Sequence, residues 1–386
     1  MNDLNERPLA GLWVLDFSQF LSGPCASLRL ADLGARVTKI EKPDGDDCRK
    51  IYLSDCELAG ESTLFHAINR DKESVCIDLH TDAGLAQIHQ LIRQADIVIS
   101  NFRPGVMARL GLEKTQLRKR YPHLIVAEIS GYGSAGPWSK RPGQDLLLQA
   151  VSGLCYLSGN KDDGPVPMGV PVADIYTGQQ LVQGILAAVF EREFTGHGSL
   201  VEISMLEAMM DFQFEPLTIL LNDKAQTIER AGNHGAHALV AGAYGLYQTA
   251  DGWLALSMGP VAQLAELLSC PALPDYTDPA LAFRERDAIK AILGGHLTQQ
   301  STQHWLAILE PADIWCAEVL DWPALVEHEG FTALNMLQTL PLGERHITTS
   351  RCPIRMDGDF FWGQKAAPVL GRDSQRILAD SSEKNV

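Results

Sequence analysis

The sequence predicts an α/β protein, with a large domain on a mostly parallel sheet followed by a smaller α+β domain. Three observations predict it. Over the first 200 residues, short apolar stretches of strand length alternate with helical patterns; such alternation makes βαβ units, with helices on both faces of the sheet. After about residue 225 the alternation gives way to a hairpin signal and further helical segments. At 386 residues the chain is long enough for a large core and two domains.

The elements follow in order. Leu12–Phe17 reads as a buried strand, and Ser22-Gly23-Pro24 as a turn into a helix through Leu33, since proline suits a first helical turn. Arg36–Glu41 alternates as a strand and is ended by Pro43-Asp44-Gly45. Val75–Leu79 is the next strand; a helix over Asp82–Gln94 leads into the strand Asp96–Ser100, and Leu124–Ile129 completes the series. Helices near 174–193 and 205–222 flank a strand at Ser199–Ile203. Ala243–Thr249 and Trp253–Ser257 enclose the turn Ala250-Asp251-Gly252. Helical segments near 261–268, 282–296 and 302–310 follow. The expected domains are 1–224, 225–325, and a segment 326–386, rich in proline and glycine, that reads as an extended tail returning to the large domain.

Composition narrows the function classes. With 46% hydrophobic and 21% charged residues the chain is an ordinary globular protein. A net charge of −16 argues against nucleic acid and anionic membranes as partners, and requires any anionic ligand to be held by locally clustered Arg and Lys. The eight cysteines show no C-x-x-C spacing, which argues against a zinc site and a disulfide scaffold and fits reduced thiols. The polar start, Met1 to Arg7, lacks the apolar core of a signal peptide. The longest apolar span, Leu181–Phe190, is too short for a membrane and is interrupted by Gln183 and Gly184. The cytoplasm is the expected location.

The usual catalytic motifs are missing. After the first strand, where a dinucleotide site carries G-x-G-x-x-G, the chain has Ser18-Gln19-Phe20-Leu21-Ser22-Gly23-Pro24. Gly131-Tyr132-Gly133-Ser134-Ala135-Gly136 is looser still, with Pro137 and Trp138 where a helix should start. No G-x-S-x-G, H-E-x-x-H or P-loop occurs. Two other places carry chemistry. Asn101-Phe102-Arg103-Pro104-Gly105 follows a strand at the carboxyl end, where open α/β sheets bind ligands. Arg103 and Arg109 there, with Lys39 and Lys42 after the second strand, are candidate phosphate ligands. The other is Asp174, between the small-residue run Gly169–Ala173 and a helical pattern, with Asp145 upstream at the start of another apolar segment. Asp174 can be a covalent nucleophile, an acid/base, or the N-cap of the following helix.

Together the motifs resemble the class III CoA-transferases, the CaiB/BaiF family of formyl-CoA and carnitine CoA-transferases. The match runs nearly end to end: Leu9 to Asp16, Ser22-Gly23-Pro24, Leu33 to Glu41, Asn69 to Val75, Ala95 to Gly105, Gly131-Tyr132-Gly133, Gly136-Pro137, Thr249 to Gly252, and Pro368 to Gly371. The resemblance implies that Asp174 is the nucleophile and Asp145 a supporting acidic group. It also implies that Asn101, Phe102 and Arg109 contribute to a CoA site, that Gln19, Phe20, Leu21 and Ser22 line it, and that Lys42 lies near the nucleotide phosphates. A Rossmann-like large domain and an interlocked homodimer are expected on the same ground. Arg103 joins the CoA-binding set by its placement after the strand.

For this chemistry the resemblance implies transfer of CoA from an acyl-CoA donor to a small carboxylic acid. The route passes through an aspartyl–acyl anhydride and an aspartyl–CoA thioester; CoA is a substrate, and no tightly bound cofactor or metal is expected. Such intermediates hydrolyse, so the site must exclude water. Ser257-Met258-Gly259-Pro260 is the short counterpart of a glycine-rich loop that covers the site in relatives. An α-methylacyl-CoA racemase needs two acid/base groups, and Gln144 before Asp145 cannot serve as one. The other alternative is a CoA-binding protein without turnover. Residues 44–65 and 225–242 are candidate specificity loops; Asn233, His234 and His237 read as loop polarity more than as acid ligands. Succinyl-CoA is the donor that the family suggests.

Overall fold

The computed structural model describes residues 7–223, 228–240, 242–273 and 278–383. Residues 1–6 of the polar start, 224–227 at the expected domain boundary, 241 in the candidate specificity loop 225–242, 274–277, and 384–386 of the tail lie outside the described residues. Six strands form one sheet: β1 (Trp13–Asp16), β2 (Arg36–Glu41), β3 (Lys72–Cys76), β4 (Ile97–Ser100), β5 (Ile125–Ser130) and β6 (Leu200–Ser204). Their order is β3-β2-β1-β4-β5-β6, and every pairing is parallel. This is the order of doubly wound dinucleotide-binding sheets, whose direction of winding reverses between β1 and β4. Ile97, Val98 and Ile99 of β4 have no exposed surface, as a strand covered on both faces requires.

The helices of this part that frame the site are α1 (Ser22–Asp32), α2 (Asp82–Ile92), α3 (Asp145–Val151), α4 (Val172–Thr195) and α5 (Met205–Phe212). On one face Ile88, Leu91 and Ile92 of α2 meet Leu15, Ile40, Val75, Val98 and Val126 of the sheet. Thr81 starts α2 by accepting the Gly84 N–H at 3.0 Å. Elsewhere α1 packs against α4. The single helix expected over 205–222 is two, because α5 ends at Phe212 and α6 (Phe214–Asn222) begins after Gln213.

Strand β3 starts three residues before the apolar run that suggested it, because it opens on buried charges. Lys72 Nζ is fully enclosed and donates to Asp16 Oδ2 (3.1 Å), Asn69 Oδ1 (2.8 Å) and the Pro24 carbonyl (3.0 Å). Glu73 accepts from Arg36 Nε and the Thr38 hydroxyl, each at 2.8 Å. Pairing makes these positions tolerable inside, and hydrophobic periodicity cannot register it. Lys72→Ala strands the Asp16 carboxylate without its cation. It is expected to lower stability by about 3 kcal/mol or more, read as a lower midpoint of urea unfolding.

The chain divides into two compact units: Met1–Leu148 with Pro171–Phe212 and Leu334–Val386, and Gln149–Val170 with Gln213–Ala333. The second unit has an antiparallel sheet of β7 (Gly245–Gln248), β8 (Trp253–Leu256) and β9 (Cys316–Glu318), with β8 central. Around it lie α7 (Val261–Leu267), α8 (Arg286–Leu297) and α9 (Thr302–Leu309). Its core includes Tyr247, Leu254, Leu256, Leu264, Leu293 and Leu309. The Ala250-Asp251-Gly252 turn closes with the Thr249 N–H on the Gly252 carbonyl (3.0 Å). His234 pairs with the Leu246 carbonyl at 2.8 Å and stacks on Tyr247.

The last sixty residues are more regular than an extended tail, because they include a hairpin, β10 (Leu337–Leu342) with β11 (Arg345–Ser350), and a helix, α10 (Ser374–Glu383). The segment before α10 lies along β3. The Asp373 N–H donates to the Ser74 carbonyl, the Ser74 N–H to Asp373 Oδ2, and the Cys76 N–H to Ser374 Oγ, all at 3.0 Å. An edge strand is thereby covered. Among the described residues no helix is long and apolar enough to cross a membrane.

Candidate active site

The point where the sheet reverses its winding is built from the residues after β1 and β4. From Ser18 to Phe20 there is no regular structure, and side chains hold the backbone instead. Asp16 Oδ1 accepts the Ser18 N–H (2.9 Å). Lys39 Nζ donates to the Ser18 carbonyl (2.8 Å) and is ion-paired with Asp46 at 2.8 Å. Asn101, next after β4, accepts the Gln19 N–H on Oδ1 (2.8 Å) and donates from Nδ2 to the Gln19 carbonyl (2.7 Å). Phe20 stands at φ +60°, a left-handed conformation that costs a non-glycine residue about 1–2 kcal/mol, and its ring is 48% exposed.

This held loop delivers the chain into α1 at Ser22, which is buried. The start of α4 faces it. Its N-cap, Pro171, has no side-chain acceptor, and the carboxylate of Asp145, at the head of α3, does the capping. Asp145 Oδ1 accepts the Ala173 N–H (2.8 Å) and the Asp174 N–H (3.2 Å). The reading of Asp174 as an N-cap is therefore corrected: Asp174 is the third residue of α4, and Asp145 caps the helix. Freed of that role, the Asp174 carboxylate accepts from both the hydroxyl and the N–H of Ser22. Burial, reinforced by the neighbouring Asp145 carboxylate and partly offset by the Ser22 donors, pushes the Asp174 pKa up to about 6.

One turn further along α4, Gly178 permits this approach. A Cβ there would stand 2.7 Å from the Ser22 carbonyl oxygen and 3.2 Å from Cys25 Cβ. Only glycine lets the two helices meet so closely.

The other expected ligands divide. Phe102 and Arg103 line a cavity of about 490 Å³ at the carboxyl ends of β4, β5 and β6, marked by Ser100, Ser130 and Ser204. Arg109 ends the short helix Val106–Arg109 and folds back towards Gly105. Lys42 is exposed and ion-paired with Asp47 at 2.8 Å. Lys39 is corrected: it is 1% exposed, engaged by Ser18 and Asp46, and reaches no external phosphate. A larger cavity, about 760 Å³, opens at the other ends of the strands, beside Trp13 and Arg36. Among the described residues no group of His, Cys, Asp and Glu could hold a metal ion.

A model of the family described as CoA-transferase family III matches residues 9–374. The chain belongs to CoA-transferase family III. It is 35% identical over 395 residues to a succinate–glutarate CoA-transferase of Agrobacterium fabrum, with 98% of each chain covered. It is 33% identical over 342 residues to an acetyl-CoA:oxalate CoA-transferase of Acetobacter aceti, with 86% of each covered. A solved structure of a CaiB/BaiF family protein from Brucella suis matches with a TM-score of 0.84 at 27% identity, covering 97% of this chain and 99% of that one. The family and the class of activity expected from the motifs are borne out: the protein is an enzyme that transfers CoA from an acyl-CoA to an acid.

Within this family III enzyme, sequence reasoning named Asn101 and Asp145 but not the contacts they make, and it missed Gly178. Asn101 grips the Gln19 backbone from both sides, a contact between residues separated by 82 positions. Asp145 caps a helix that begins far downstream. Gly178 had a local signal, since a glycine four residues after Asp174 lies on the same face of a helix.

Proposed function

We propose that this transferase works by covalent catalysis at Asp174. The observation that carries the reading is a partly buried carboxylate at the winding reversal of the sheet, held by Ser22 and titrating near pH 6. It is ionised at neutral pH and more basic than an ordinary aspartate, which favours nucleophilic attack. A carboxylate oxygen of Asp174 adds to the donor thioester carbonyl; the C–S bond breaks and CoA thiolate leaves an aspartyl–acyl anhydride. The thiolate then adds to the aspartyl carbonyl, expels the donor acid as its carboxylate, and forms an aspartyl–CoA thioester. The acceptor carboxylate displaces the thiolate to give a second anhydride, and the thiolate takes the acceptor acyl group, regenerating Asp174. No proton or electron is consumed.

Succinyl-CoA as donor and a small dicarboxylate as acceptor are supported by what the relatives' names say of those proteins. Gln19, Phe20, Leu21, Ser22, Asn101, Phe102, Arg103 and Arg109 are the proposed CoA-contacting set, with Lys42 reaching the nucleotide phosphates once freed from Asp47. A Rossmann-like large domain with a smaller one, an interlocked homodimer and a cytoplasmic location belong to the same reading. The test is label exchange between succinyl-CoA and a panel of free dicarboxylates, followed by borohydride reduction and peptide mass analysis. Reductive modification at any residue other than Asp174 overturns the reading.

The pH profile gives a second test. Asp145→Asn keeps an acceptor for the Ala173 and Asp174 N–H groups and removes the like charge that helps raise Asp174. The acidic limb of the transfer rate is expected to move to lower pH. An unmoved or raised limb contradicts the electrostatic part of the account.

A further inference from the structure

The hydrogen bonds around Asn101 have only one consistent direction, and it ends on Asp174. The Gln19 N–H can only donate, so the Asn101 atom 2.8 Å from it is the carbonyl oxygen Oδ1. The other terminal atom is therefore the amide nitrogen, whose two hydrogens go to the Gln19 carbonyl at 2.7 Å and to Ser22 Oγ at 3.2 Å. With Oγ accepting from Asn101, the Ser22 hydroxyl hydrogen is left for the Asp174 carboxylate, whose pKa Ser22 lowers, and the close approach of α1 to α4 at Gly178 brings the two together. The Ser22 N–H, the first of α1, donates to the same carboxylate. Its positive helix end reinforces both donors.

We infer that the Ser22 hydroxyl is a further catalytic group, an oxyanion donor for the tetrahedral intermediates centred on the carboxyl carbon of Asp174 itself, with Asn101 as its positioning residue. The inference rests on Asp174 being the residue that is acylated. When thiolate adds to the aspartyl anhydride, or acceptor carboxylate to the aspartyl–CoA thioester, the carbonyl π electrons move onto an oxygen of Asp174. They return when the leaving carboxylate or thiolate departs. One of the two Asp174 oxygens remains where the carboxylate oxygen now sits, against Ser22. The hydroxyl keeps its proton and acts only as a donor, so nothing is consumed. Two preset donors in a buried corner act without reorganisation as negative charge grows. The neighbouring charges do not supply this stabilisation. Asp145 repels it, and the Cys25 thiol, raised to about 11 by burial, stays neutral.

The test compares the parent with Ser22→Ala, Ser22→Thr and Asn101→Asp, using steady-state transfer across pH and borohydride trapping. Ser22→Ala is expected to lower kcat about a hundredfold with little change in KM for the acyl-CoA. It should also move the acidic limb to higher pH, since a bond to the charged form is lost. Ser22→Thr, which keeps the hydroxyl, is expected to recover most of the rate. Asn101→Asp still accepts the Gln19 N–H but cannot donate to Oγ; the Ser22 hydroxyl then turns away from Asp174, and the same fall in kcat is expected even if Ser22→Ala proves too unstable to assay. An adduct on Asp174 in the parent, together with unchanged kcat in both Ser22→Ala and Asn101→Asp, overturns this inference and leaves the nucleophile standing. No adduct on Asp174 in the parent overturns both.

Discussion

Asp174→Asn is expected to abolish transfer and, above about pH 6, to make the protein more stable. Removing a nucleophile of this kind costs a factor on the order of 10⁴ or more in kcat, because an amide neither attacks a thioester nor leaves from an anhydride. The stability effect has the opposite sign, and its pH dependence is fixed by the direction of the Asp174 shift. The folded carboxyl titrates near 6 and an ordinary aspartate near 3.8, so between these values the folded state binds more protons than the unfolded state. Stability therefore falls as pH rises through that window and is lower by about 3 kcal/mol once the group is fully ionised. The asparagine amide can still accept from Ser22 and carries no charge to bury. Thermal unfolding should show the variant melting higher at about pH 8 and the two proteins converging near pH 4. A variant that melts lower than the parent at about pH 8 would show that the carboxylate is held favourably, and the raised pKa would be wrong.

Gly178→Ala is the second large effect. In an ordinary helix interior this replacement stabilises by about 1 kcal/mol. Here the new Cβ meets the Ser22 carbonyl oxygen at 2.7 Å, a backbone atom with no rotamer to change. Relief comes only by moving α1 away from α4, which draws the Ser22 donors off Asp174. A loss of about 1–3 kcal/mol is expected, together with a fall in kcat of about a hundredfold or more that exceeds the change in KM. The reversed sign on stability is the diagnostic part. If melting rises and transfer is unchanged, the two helices are not in contact at this position.

The parts of the fold legible in the sequence were those with unbroken apolar signal. β1, β2, β4, β5 and β6 overlap their expected ranges because each is a short apolar or alternating stretch bounded by turn residues or helical pattern. β3 was displaced because its first two residues, Lys72 and Glu73, are buried through partners far away in sequence. The start of α4 was misplaced for a related reason: its capping carboxylate comes from Asp145, 28 residues from Ala173, and a local search for Ser, Thr, Asp or Asn finds only Asp174. Lys39 looked like a phosphate ligand because sequence position says nothing about which way a side chain turns; it lies within β2 and turns inward to Ser18 and Asp46. The grouping of residues 149–170 with 213–333 is a long-range arrangement for which periodicity has no signal. At the site, the types of residue were legible and their directions were not. Asp174, Ser22 and Asn101 could each be singled out, but the chain of donors from Gln19 to Asp174 exists only in three dimensions.

The most direct test of covalent catalysis at Asp174 follows the oxygen atoms. The enzyme is supplied with succinyl-CoA and an acceptor dicarboxylate whose carboxylate oxygens carry a heavy isotope, and the Asp174 peptide is weighed after brief turnover. Because the acceptor oxygen that joins the second anhydride remains on the aspartyl carbon when the acyl group passes to CoA, the account predicts heavy oxygen in the Asp174 side chain and nowhere else in the protein. Product acyl-CoA formed at the normal rate from an enzyme whose Asp174 peptide stays unlabelled would contradict it.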